Sequence, residues 1–114
     1  MLCLVFLVSS IIVTAPAYAI RLTNVKHLFD ITHNFSQPSD IAVSKDGHIY
    51  VMDGVNNMIK VFNRDGKFVF SFGSKGSLTG QFLFPLGLDI GSSGKVYVAD
   101  SGNHRIQIFG PTGN

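Results

Sequence analysis

Residues 96–113, VYVADSGNHRIQIFGPTG, rewrite residues 49–66, IYVMDGVNNMIKVFNRDG, at an offset of 47 residues. Tyr50 and Tyr97, Val51 and Val98, Asp53 and Asp100, Asn56 and Asn103, Ile59 and Ile106, Phe62 and Phe109, and Gly66 and Gly113 coincide. Average residue usage would give about one such match by chance. The register extends upstream through Pro38/Pro85, Ile41/Leu88, Val43/Ile90 and Gly47/Gly94. A unit written twice at this period folds as one module of an array, so each copy must bury its apolar faces against a neighbour.

Within each copy the residues read as strands. SDIAVS (39–44) and LGLDIG (86–91) are short apolar runs, KDG and SSG are turns whose glycine takes positive φ, and HIYVMD and KVYVAD are β-branched and aromatic. MIKVFN and RIQIFG form a third strand, and KFVFSFG (67–73) a fourth that leads through SKGSLTGQF into the second copy. Helix is excluded because Gly and Asn interrupt every few residues and apolar positions do not recur at three and four. Apolar residues on both faces of a strand, as in KFVFSF, fit a sheet covered on both sides. Four short strands per unit, repeated at this length, describe a β-propeller blade. KHLFDIT (26–32) resembles the fourth strand, so the expected order is d, a-b-c-d, a-b-c.

The opening MLCLVFLVSSIIVTAPAYA is apolar from Leu2 to Val13 and closes on Ala17-Tyr18-Ala19, a small-x-small cleavage pattern. Residues 1–19 therefore read as an export signal cleaved before Ile20, leaving 20–114 as a partial propeller in a secreted or periplasmic compartment. No Lys or Arg precedes the apolar run, which keeps an uncleaved amino-terminal anchor as the alternative; no other membrane association is expected. The single cysteine, Cys3, lies in this segment, so the remainder has neither disulfide nor thiolate chemistry. Nine Lys and Arg against seven Asp, with no Glu, give a net charge of +2 without runs, and no nucleic-acid partner is expected.

The second copy, FPLGLDIGSSGKVYVADSGNHRIQIFGPTGN, resembles the NHL repeat, with its Pro-Gly first strand, YVAD, GNHRI and a third strand closing on Phe. The first copy keeps Asp53, Asn56 and Ile59 but has Asn57-Met58 in place of the His-Arg pair. The repeats run over about 37–82 and 84–114. The resemblance implies an all-β fold of about two four-stranded blades, part of a ring of about six. It also implies a scaffold whose faces recognise a protein, peptide or glycan. A second reading, also by resemblance, is a propeller enzyme of the peptide-amidating lyase or lactonase kind with a metal, zinc or calcium, in the central channel.

Asp53, Asn56, Asp100 and Asn103 are the principal candidates. A carboxylate ending one strand, three residues before an Asn, is placed to accept backbone N–H groups across the turn while the Asn turns left-handed. Its recurrence in both copies points to holding the hairpin and away from catalysis. His104 is the one candidate metal ligand, but it lacks partners at ligand spacing, and the alternative is an imidazole bonding a neighbouring blade. Lys60, Arg64, Lys67 and Arg105 make a faint basic strip, read as a solvated strand face; by resemblance, some NHL propellers bind RNA on such a surface. The phenylalanines at 29, 35, 62, 68, 70, 72, 82, 84 and 109 read as packing residues.

No nucleophile elbow, Walker loop or Glu is present to carry catalysis, so no cofactor is assigned and an enzyme is the less favoured class. Two blades bury one interface and leave two apolar faces open. The expectation is either a fragment of a longer propeller or a homo-oligomer in which 26–32 completes a neighbour's blade, a trimer at about six blades.

Overall fold

A computed structural model describes residues 25–114; the leader at 1–19 and the cleavage point at Ile20 lie outside the described residues. The fold is all-β. Seven strands follow in order: β1 (Pro38–Val43), β2 (Ile49–Asp53), β3 (Met58–Phe62), β4 (Phe68–Phe72), β5 (Gly87–Ile90), β6 (Val96–Asp100) and β7 (Arg105–Phe109). They form two antiparallel meanders, a four-stranded sheet β1-β2-β3-β4 and a three-stranded sheet β5-β6-β7. Each strand falls within the apolar run that predicts it, except that β1 begins one residue earlier, at Pro38. The turn glycines Gly47 and Gly94 have φ of 90° and 82°, which only glycine adopts without strain. Among the described residues no helix is long and apolar enough to cross a membrane.

The two sheets stack as successive blades. Because side chains alternate along a strand, Tyr50 and Met52 of β2 share a face with Ile59 and Val61 of β3, their cross-strand partners. That face packs on Leu88, Val96, Val98 and Phe109 of the second sheet, with Phe82 of the linking segment closing the cluster. Burying a side chain of this size contributes about 1.5–3 kcal/mol, so this interface dominates the stability of the pair. Polar contacts set its register: the Leu88 amide donates to Asp40 Oδ2 at 2.7 Å, and the Tyr50 hydroxyl donates to the Pro111 carbonyl at 2.7 Å.

Residues 26–32 correct the expected strand order. The segment has no strand assignment, although it occupies the place a fourth strand would take. Phe29 and Ile31 lie over Gly66 just as Phe72 of β4 lies over Gly113, the equivalent glycine of blade two. The position is right and the pairing is missing, because a fourth strand needs a third strand to bond, and none precedes this segment among the described residues.

Candidate functional site

The links between second and third strands, residues 54–57 and 101–104, form one end of the blade pair. Asp53 and Asp100 end β2 and β6 with side chains fully buried. Asp53 accepts the Ser36 amide at 2.7 Å and Asn56 Nδ2 at 2.8 Å, and pairs with Lys60 Nζ at 2.7 Å. Asp100 accepts the Leu83 amide at 2.8 Å, Asn103 Nδ2 at 2.9 Å, Arg105 Nε at 2.8 Å and Gln107 Nε2 at 3.2 Å.

The sequence suggested that the carboxylates bond backbone amides of their own turn; within the turn they bond only the Asn side chains. They reach the chain seventeen residues earlier, where it enters the blade. Each is a clamp between the entry segment and the third strand. Burial pushes both carboxyls upward, but hydrogen bonds more than reverse this. Asn56, Lys60 and the Ser36 amide hold Asp53 below the ordinary carboxylate value; the Leu83 amide, Asn103, Arg105 and Gln107 do the same for Asp100.

Lys60 and Arg105 are therefore not part of a basic surface strip. Lys60 is buried, and its ammonium also donates to the carbonyls of His33 and Asn34, each at 2.9 Å. Arg105 likewise donates to the carbonyls of Leu78 and Gln81. Every buried side-chain nitrogen and oxygen among the described residues has a partner.

The left-handed residue of each turn is the one after the predicted Asn. Asn57 and His104 both have φ of 53°, whereas Asn56 and Asn103 spend their amides on the carboxylates. Asn tolerates this conformation because its short polar side chain bonds locally, here Nδ2 to the Val55 carbonyl at 2.9 Å. His104 is exposed, and its ring has no hydrogen bond among the described residues. Among the described residues no three His, Cys, Asp or Glu side chains gather into a metal-holding group.

Asn57 Oδ1 accepts the amide of Phe84 at 2.9 Å, and that residue has φ 45° and is 61% exposed. The sequence reads Phe84 as a packing residue with the other phenylalanines; the structure leaves it exposed, as it does Phe29 and Phe68. The signal was present in the repeat register, which pairs Phe84 with Gln37, also left-handed at φ 55°. Beside it, Val55 and Leu86 are exposed, and a groove of about 190 Å³ runs between Gln37, Pro38, Gly54, Val55, Phe84 and Leu86.

Matches to known proteins fall on these elements. The NHL repeat family matches residues 35–62 and 82–109, each span beginning in an entry segment and ending with the third strand. The chain carries two NHL repeats. A curated relative, Protein brain tumor of Drosophila melanogaster, is 38% identical over 50 residues, 44% of this chain and 5% of that protein's length. The chain therefore spans a small fraction of that relative. Both NHL repeats place the Asp–Asn pair, the entry amide and a cation or amide from the third strand in one cluster.

A second polar group, at the opposite end of β2, went unnoticed in the sequence. Ser44 Oγ donates to Asp46 Oδ1, and His48 Nδ1 lies 2.8 Å from Asp46 Oδ2. The serine hydroxyl is directed at the carboxylate and not at the imidazole, so the three are not arranged as a nucleophile and its base. The second NHL repeat has Gly91, Ser93 and Lys95 at these positions, so the group belongs to one hairpin only.

Proposed function

We propose that this chain is an exported NHL-repeat β-propeller scaffold that docks a protein or peptide at the groove beside Phe84. Phe84 carries the reading: a large aromatic side chain held outward in a conformation that bulky residues avoid, by a dedicated hydrogen bond from its own amide to Asn57. Left to packing alone, a phenylalanine would be buried; exposed aromatic anchors flanked by aliphatic residues characterise interaction hot spots. The groove, about 190 Å³, is smaller than the roughly 300–1,000 Å³ of small-molecule sites, and suits one inserted side chain of a larger partner. The export part of the reading rests on the apolar leader ending at Ala17-Tyr18-Ala19.

A displayed peptide library selected against the chain tests this reading. The expected result is enrichment of peptides with an apolar anchor whose binding falls at least tenfold on Phe84→Ala at unchanged melting temperature. Peptides indifferent to F84A, or selection of none, would contradict it, and retention on immobilised glycans lost in F84A would move the partner class to carbohydrate.

A further inference from the structure

The segment that enters blade one contains Asn34-Phe35-Ser36, the Asn-x-Ser pattern with no proline between that N-glycosylation requires; no other Asn-x-Ser or Asn-x-Thr occurs in the chain. Repeat two has Gln81-Phe82-Leu83 at these positions, so the blade itself asks for the phenylalanine and for neither Asn34 nor Ser36.

The fold uses the backbone of both residues and leaves their side chains idle. Asn34 is exposed, lies outside any strand and has φ of 47°. Its carbonyl accepts Lys60 Nζ at 2.9 Å and Asn56 Nδ2 at 3.4 Å, while its carboxamide makes no hydrogen bond among the described residues. Ser36 gives its amide to Asp53 at 2.7 Å and its carbonyl to the Val55 amide at 3.2 Å. Its hydroxyl has no such partner, and since every buried side-chain oxygen among the described residues has one, that hydroxyl meets solvent.

The exposure of Asn34 has a local cause. Its counterpart Gln81 is half-buried under its own link, where Oε1 accepts the Leu78 amide at 3.1 Å and the side chain lies over Gly76. That link runs over residues 74–84, whereas 33–37 alone lead into β1, so repeat one has no counterpart of Gly76 or Leu78 to cover Asn34.

We propose that Asn34 is an N-glycosylation acceptor, modified as the chain enters a secretory compartment; this rests on the export reading above. The donor is a lipid-pyrophosphate-linked oligosaccharide. Asn34 Nδ2 forms a bond to the anomeric carbon while the bond from that carbon to the pyrophosphate oxygen breaks. One amide proton is given up, and the lipid pyrophosphate leaves. The Ser36 hydroxyl supplies the second group of the acceptor pattern. A glycan on Asn34 stands in water and spares the clamp, to which Ser36 contributes only its backbone.

Expression in a eukaryotic secreting host tests this, with the chain carrying its own leader in one form and residues 20–114 behind a leader of established function in the other. Both forms are expected to lose apparent mass on treatment with peptide-N-glycosidase, and the tryptic peptide His27–Lys45 should then carry aspartate in place of Asn34. Ser36→Ala should abolish the mass shift, and Ser36→Thr should retain it. After deglycosylation the wild type and S36A should melt alike. Absence of glycan from both forms, or glycan retained in S36A, would overturn the acceptor. Glycan on the second form alone would overturn the export reading, and with it modification of the native protein, while leaving Asn34 a competent acceptor.

Discussion

Lys60 and Arg105 neutralise equivalent buried carboxylates from positions that are not equivalent. Lys60 reaches Asp53 from the third residue of β3, whereas Arg105 reaches Asp100 from the first residue of β7. Where repeat one has Met58 and Lys60, repeat two has Arg105 and Gln107. One cation per clamp is retained while its position moves by two residues, which on a strand keeps it on the same face. The carboxylate is fixed by the fold, and the cation can come from either neighbouring site on that face.

This exchange predicts a rescue. Lys60→Gln alone leaves Asp53 buried without its ion pair and should cost about 3–5 kcal/mol, the usual effect of removing one partner of a buried pair. Adding Met58→Arg rebuilds the arrangement of repeat two and should recover most of that loss. Urea denaturation of the three proteins measures both values, and a double variant no more stable than K60Q would show that the two clamps are not interchangeable.

Acid should weaken both clamps. Asp53 and Asp100 have folded-state values lowered from 3.8, so the unfolded chain takes up protons first as pH falls. Their contribution is complete above the unfolded value and is lost as pH drops through the still lower folded values. Melting temperature followed into the acid range should fall below pH 3.8 in the wild type and fall less steeply in an Asp53→Asn, Asp100→Asn double variant. Equal slopes would place the acid sensitivity elsewhere.

Gly102 is required by close approach. Its amide donates to the Leu83 carbonyl at 2.7 Å, and a Cβ built there would lie 2.4 Å from that oxygen. Repeat one has Val55 at this position, and there the corresponding bond, to the Ser36 carbonyl, is longer at 3.2 Å. Gly102→Ala should therefore cost about 1–3 kcal/mol, as overpacking typically does, and thermal unfolding reads the change. An unchanged midpoint would mean that the entry segment shifts outward freely, as it does over Val55.

The strands were legible because β-branched and aromatic runs between glycine turns leave little alternative, and because a second copy repeated all of them but β4. The Asp–Asn recurrence pointed to the right end of the blade. It could not point to Ser36 and Leu83, since the bonds there are made to backbone amides, which any residue supplies. The movement of the cation was invisible for a different reason: neither 58/105 nor 60/107 is an identity, and only the geometry reveals that the two differences compensate. Phe84 was misplaced because residue type alone cannot distinguish a core phenylalanine from an anchored, exposed one. Residues 26–32 have strand composition without a strand, because pairing belongs to the neighbour and not to the segment.

Amide hydrogen exchange at Ser36 and Leu83 tests most directly whether Asp53 and Asp100 clamp the entry segments. Both amides should exchange slowly in the native protein despite lying outside any strand. Asp53→Ala should release Ser36 and leave Leu83 protected, Asp100→Ala should do the reverse, and each should lower stability by about 1–3 kcal/mol, the cost of a buried donor left unpaired. Fast exchange at both amides in the wild type, or alanine variants that keep their protection and melting temperature while losing partner binding, would contradict the clamp and make these carboxylates part of a binding or reacting site.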